Sequence, residues 1–207
     1  LRYEYVSWNN FYRLCGVLYR RISESGFRPD LIVAITRGGY PPARVLSDYL
    51  DLMDLVGLKV EHYRGPDKMS RVLIPYSLPV DIAGRHILLV DDVSDSGDTF
   101  DAALEHLAAH GKPAELRTAV LHHKQTSTYV PDFHAKRVLK WRWITYPWAV
   151  VEDLTVLASR MDPPPYTTRD LLVHLRENIG FRLPAAVFEQ TAQVVLERLR
   201  EVDSYPE

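Results

Sequence analysis

Apolar positions change their spacing several times along these 207 residues, and each change marks an element. From Trp8 to Ser25 they fall at Trp8, Phe11, Leu14, Cys15, Leu18 and Ile22, the spacing of one helical face. Ser7 stands where an N-cap is wanted and Gly26 where the helix would close. Leu31 to Ile35 is a short unbroken apolar run, which predicts a strand covered on both faces. A helical pattern resumes from Pro41 to Leu52, and Val56 to Tyr63 predicts a strand. Arg64 to Arg71 holds Gly65, Pro66, Asp67 and Lys68 with little apolar content, and predicts a loop. Ile87, Leu88, Leu89 and Val90 predict a second doubly covered strand. Phe100, Ala103, Leu104 and Leu107 predict a helix that ends at His110, Gly111 and Lys112. Leu116 to Leu121 and Val138 to Ile144 supply two more strands. Alternation of this kind predicts an α/β fold, a parallel twisted sheet flanked by helices with right-handed crossovers.

Beyond Val150 the texture changes. Pro163, Pro164 and Pro165 form a stiff break, Thr168 can cap a helix from Arg169 to Asn178, and Gly180 suits the left-handed position after it. Pro184 opens a last helix with Phe188, Thr191, Val195 and Leu199 on one stripe. The expected organisation is therefore a domain at residues 1–151, N-terminal helix included, and a helical C-terminal extension at 152–207. That extension carries ten acids against six arginines, and the whole chain has a net charge of -2. Neither figure suits a nucleic-acid partner, which calls for a basic excess. Cys15 is the only cysteine, so no internal disulfide can form and a reducing cytoplasm is the expected setting. No apolar run reaches the ~18 residues of a membrane span and the opening residues do not read as a signal peptide, so no membrane partner is expected.

The candidate chemistry starts at the carboxyl end of the strand Ile87 to Val90, where open α/β sheets place ligands. Asp91 and Asp92 stand there side by side, able to accept hydrogen bonds from vicinal hydroxyls. Ser94, Ser96, Gly97 and Thr99 follow, just before a helix, and backbone amides at such a turn favour a phosphate. No lysine follows the glycine, so this is not a nucleotide-triphosphate P-loop. One α/β unit earlier, Thr36, Arg37, Gly38 and Gly39 put a guanidinium beside two residues that let backbone amides approach an anion. Downstream lie Lys124 and the aromatic stretch KWRWITYPW. His122 and His123, adjacent on a strand, would point to opposite faces and not share a metal ion.

The stretch DDVSDSGDT resembles the phosphoribosyl pyrophosphate (PRPP) signature of the type I phosphoribosyltransferases. TRGG resembles the pyrophosphate loop of the purine members, and Lys124 with Trp143, Ile144, Pro147 and Trp148 is similar to the purine pocket of the xanthine-guanine enzymes. The resemblance implies the type I phosphoribosyltransferase fold for residues 1–151, with a base-binding hood. It implies transfer of the 5-phosphoribosyl group of PRPP to a purine base, giving a nucleoside monophosphate and pyrophosphate. Asp91 and Asp92 would hold the ribose hydroxyls and help place Mg2+, which arrives with PRPP. Ser94, Asp95, Ser96, Gly97, Asp98 and Thr99 would bind the 5'-phosphate. Thr36, Arg37, Gly38 and Gly39 would bind pyrophosphate, with a cis peptide at Thr36–Arg37 or Arg37–Gly38. Asp95 would act as general base at purine N7, Trp143 would stack on the base, and the backbone of Ile144 would meet its edge. Lys124 would donate to the exocyclic oxygen; a lysine is donor only, which favours a 6-oxopurine such as hypoxanthine, guanine or xanthine over adenine. Relatives of this kind assemble as homodimers or homotetramers. Two departures stand out: Ser96 replaces a threonine, and Asp98 takes a place where a small or basic residue is usual. A carboxylate about 4 Å from a phosphate charge costs ~4 kcal/mol near a protein surface. A non-catalytic regulator of the same fold, binding PRPP or a nucleotide, is the alternative.

Overall fold

The computed structural model describes residues 2–64 and 70–204. Along the chain run β1 (Tyr3–Tyr5), α1 (Trp8–Glu24), β2 (Leu31–Thr36), α2 (Tyr40–Tyr49), β3 (Leu55–Lys59), β4 (Glu61–Arg64), β5 (Ser70–Leu73), β6 (His86–Ser94) and α3 (Asp98–His110). After them come β7 (Glu115–Lys124), β8 (Phe133–Val138), β9 (Trp143–Thr145), α4 (Val150–Ala158), α5 (Thr168–Val173), a π-helical turn (His174–Asn178) and α6 (Ala185–Ser204). The chain divides into two compact units: Phe11–Trp141, and a second that joins the residues up to Asn10 to those from Arg142 onward.

The first unit is built on a five-stranded sheet in the order β3-β2-β6-β7-β8, every neighbouring pair parallel. Its central strands are buried on both faces, as their unbroken apolar runs require. Leu31, Val33, Ile35, Ile87 and Leu89 pack with Phe100, Ala103 and Leu107 of α3, while Ile32, Ala34, Leu88 and Val90 are fully buried on the other side. Helix α1 buries Phe11, Leu14, Cys15, Leu18 and Ile22, and the Ser7 hydroxyl accepts from the Asn10 N–H at 3.2 Å at its start. Burial pushes the Cys15 thiol up to about 12, which keeps it a packing residue.

Two expectations are corrected. The segment Val56 to Tyr63 is two strands, because the chain leaves the parallel sheet after Lys59 and Glu61–Arg64 pairs antiparallel with Ser70–Leu73. Residues 65–69 of the expected loop lie outside the described residues. Val138 to Ile144 is likewise not one strand: Val138 ends β8, the chain turns, and β9 pairs with β1 instead of with the main sheet.

The second unit pairs β1 with β9 in parallel. It buries Leu154, Leu157, Leu171, Phe181, Phe188 and Val195 from its helices, with Tyr3 and Tyr5 against them. The Thr167 side chain accepts from the Asp170 N–H at 3.2 Å, and Asp170 accepts from the Thr167 N–H at 2.9 Å. This reciprocal cap starts α5 one residue before the expected Thr168. Gly180 has the expected left-handed backbone, φ +66. Among the described residues no helix is long and apolar enough to cross a membrane.

Candidate active site

From β2 the chain steps outward to β3, and from β6 it steps the other way to β7 and β8. The carboxyl ends of β2 and β6 therefore flank the switch point where an open α/β sheet leaves a crevice. Thr36 to Gly39 leave β2 at that point, and the Thr36–Arg37 peptide is cis. The Gly39 N–H donates to Ile35 O at 2.8 Å. A Cβ on Gly39 would stand 2.7 Å from Ile35 O and 2.9 Å from Asp91 Cα; one on Gly38 would overlap the Asp92 carboxylate, 2.7 Å from its Cγ. Only residues without a side chain let this loop lie directly on the acid pair.

Strand β6 runs past Val90 through both acids to Ser94. Asp91 is buried and accepts from the Asp92 N–H at 2.9 Å. Burial, then the charge of Asp92, pushes the Asp91 carboxyl well above the usual carboxylate range.

The turn after β6 is held from outside. Gly97, at φ +114, is the N-cap of α3, and the hydroxyl of Ser96 before it accepts from the Asp98 N–H at 3.4 Å. A Cβ on Gly97 would lie 2.6 Å from Thr128 Oγ1 and 2.9 Å from Tyr129 N. The N–H and hydroxyl of Thr128 both donate to Ser96 O at 2.8 Å, and the Ser127 N–H donates to Lys124 O at 3.0 Å. The Ser94 hydroxyl is buried, 2.6 Å from Ser127 Oγ and 3.2 Å from Tyr129 O. Ser96 is exposed and its hydroxyl donates to the Asp98 carboxylate at 3.0 Å. Helix start, glycine and exposed hydroxyl thus gather at one end of β6, with a carboxylate among them.

Asp95 and Lys124 meet above the neighbouring strand ends. Lys124 is the last residue of β7, and its side chain is 4% exposed, against 47% for Asp95. Lys124 Nζ donates to Asp95 Oδ2 at 2.5 Å. Trp141 joins them, its indole N–H donating to Asp95 Oδ1 at 3.1 Å and its ring centroid lying 4.6 Å from Lys124 Nζ. Sequence reasoning missed Trp141. On one continuous strand it would share a face with Trp143, and only the turn between β8 and β9 separates them. Trp143 and Ile144 lie on β9 in the second unit, where the Trp143 N–H donates to Arg2 O at 2.8 Å. Burial raises the Asp153 carboxyl there, opposed by the Thr145 and Trp143 side chains beside it. No cluster of three or more histidine, cysteine, aspartate or glutamate side chains suited to a metal ion occurs among the described residues.

Comparison with known proteins identifies the family. Residues 3–153 match the phosphoribosyl transferase domain. A hypoxanthine-guanine phosphoribosyltransferase of Saccharomyces cerevisiae is 29% identical over 189 residues, covering 70% of this chain and 85% of its own length. A bifunctional protein PyrR of Nitrosococcus oceani is 34% identical over 119 residues, covering 54% of this chain and 66% of its own. The crystal structure of a purine phosphoribosyltransferase from Pyrococcus horikoshii superposes with a TM-score of 0.63 at 30% identity, covering 72% of this chain and 94% of that one. With the match spanning the sheet, the acid pair and the glycine loop, the chain belongs to the phosphoribosyltransferase family.

Proposed function

We propose that this protein transfers the 5-phosphoribosyl group of PRPP to a 6-oxopurine (hypoxanthine, guanine or xanthine), releasing pyrophosphate. The observation that carries the reading is the Asp95–Lys124 pair, a carboxylate and a buried ammonium 2.5 Å apart. Asp95 follows the strand that carries the acid pair, Lys124 ends the neighbouring β7, and the glycine loop leaves β2 on the other side of β6, all at the carboxyl ends of parallel strands. A 6-oxopurine offers a carbonyl for the ammonium and an N7 proton for the carboxylate.

The bond from the anomeric carbon to pyrophosphate breaks as the bond from base nitrogen forms, through an oxocarbenium-like transition state. Arg37 and the amides of Gly38 and Gly39 receive the charge that builds on the leaving pyrophosphate. Asp91 and Asp92 hold the ribose hydroxyls, and Asp95 takes the base proton. The 5'-phosphate falls to Ser96, Gly97 and Thr99. Ser94, turned toward Ser127 and Tyr129, shapes that turn from behind. Asp91 and Asp92 would help place the Mg2+ that arrives with PRPP, an ion that takes oxygen donors such as carboxylates. When bound it would neutralise charge on the pyrophosphate oxygens. Trp143 as stacking partner, the Ile144 backbone at the base edge, and a homodimer or homotetramer belong to the same proposal.

A regulator that binds PRPP or a nucleotide without turnover is the second reading, favoured by the carboxylate of Asp98 in the phosphate turn. Incubation with PRPP, Mg2+ and each of hypoxanthine, guanine, xanthine, adenine and uracil decides between them. A nucleoside monophosphate from an oxopurine is the expected product; PRPP binding without product from any base would leave the regulator.

A further inference from the structure

We propose that the indole of Trp141 occupies the position a nucleobase would take against Asp95 and Lys124 and that an incoming purine must displace it. The inference rests on the reading of Asp95 and Lys124 as the groups that meet the base. Both are already engaged by one aromatic ring. The indole N–H reaches Asp95 Oδ1 at 3.1 Å, as a purine N7–H would. The ring lies beneath the Lys124 ammonium, 4.6 Å from its centroid, in a cation–π contact. Lys124 Nζ meanwhile donates to the other carboxylate oxygen at 2.5 Å, so each oxygen of Asp95 has a donor. An aromatic plane with an N–H edge that spans this carboxylate and this ammonium has the shape and hydrogen-bond pattern of the substrate.

The mimicry is incomplete at one point, and that point gives it direction. Lys124 stands over the indole face, whereas a 6-oxopurine would offer it an in-plane oxygen. The exchange therefore replaces a cation–π contact by a hydrogen bond to a carbonyl, and an indole N–H by the N7–H of the base. Displacement is also feasible from the chain's side. Trp141 follows the end of β8 at Val138 and precedes β9, so a turn and not a strand carries it.

The test compares wild type with Trp141→Phe in steady-state assays at saturating PRPP and varied oxopurine. Phenylalanine keeps a ring but loses the N–H, so KM for the base should fall about tenfold, the worth of one hydrogen bond to a charged acceptor, with kcat within about twofold. An unchanged KM, a raised KM or a fall confined to kcat would overturn the proposal, the last two marking Trp141 as a stacking wall or as a support for Asp95. Tryptophan labelled with fluorine gives a second readout on the wild-type protein. The Trp141 resonance, assigned by its loss in Trp141→Phe or in Trp141→Tyr should the first variant not fold, should shift when inosine monophosphate binds; a stationary resonance on a nucleotide-bound protein counts against displacement. Wild type that neither forms nor binds a nucleotide would refute the functional reading itself, whereas an active wild type with a static Trp141 refutes the displacement alone.

Discussion

Gly39→Ala asks whether the glycine loop and the acid pair are one packed body. Gly39 has an ordinary right-handed backbone, φ -75 and ψ -14, so alanine meets no conformational barrier and the effect comes from space alone. Its Cβ would stand 2.7 Å from Ile35 O and 2.9 Å from Asp91 Cα, with Val90 O closer still. Carbon contacts are comfortable at ~3.5 Å or beyond, and all three neighbours are backbone of β2 and β6, which cannot rotate away. Overpacking at such a place costs about 1–3 kcal/mol, and for a chain of this size each kcal/mol lowers Tm by roughly 2–4 °C. Gly38→Ala is the internal control, since its Cβ meets the Asp92 carboxylate, a side chain that can turn aside. Scanning calorimetry should show the larger Tm loss in Gly39→Ala. PRPP kinetics should show KM raised in Gly38→Ala with Tm within about 2 °C of wild type, an order-of-magnitude allowance for a surface adjustment. A wild-type Tm in Gly39→Ala, or the larger loss in Gly38→Ala, would refute the packing argument.

Asp95→Asn should lower kcat by about 10²- to 10⁴-fold, the usual worth of a general base; kcat within tenfold of wild type at saturating substrates would take Asp95 out of the proton path. His123 and His134 face one another with ring centroids 5.5 Å apart. Burial first, then Arg137 beside His123 and Arg21 beside His134, lowers both from the ordinary histidine value. Below about pH 6.5 the unfolded chain takes up protons that the folded one refuses, so stability is complete above that pH and falls as the pH drops through it. Tm should therefore decline between pH 7 and pH 5.5, and less so in a His123→Gln/His134→Gln variant; equal slopes would discharge the pair. Leu154→Ala, at a fully buried position of the second unit, should cost about 2–5 kcal/mol by denaturant titration, and a loss below about 1 kcal/mol would mean that the helices there pack loosely.

Strands β2 and β6 were legible because a doubly covered parallel strand writes itself as consecutive apolar residues, and α1 because seventeen helical residues repeat one stripe. The acid pair stood out as adjacent carboxylates at the end of an apolar strand, whereas the glycine loop and Lys124 were picked out by their resemblance to phosphoribosyltransferase motifs. Strand β8 was not, since its burial alternates with no regular period from Phe133 to Val138, and β1 is three residues long. The inward turn of Ser94 depends on Ser127 and Tyr129, more than thirty residues away. Trp141 and Trp143 carry identical side chains two positions apart, so their separation into different units is decided by a backbone turn with no periodic signature.

Thr128 grips Ser96 O twice, and its neighbour Ser127 is bonded back to Lys124 O. On the proposed reading Lys124 meets the base while Ser96 and Gly97 meet the phosphate, so residues 124–128 are a brace that ties the two ends of the ligand's cradle together. One residue inserted into that brace would disturb recognition of both ends at once, without removing any group that touches the ligand.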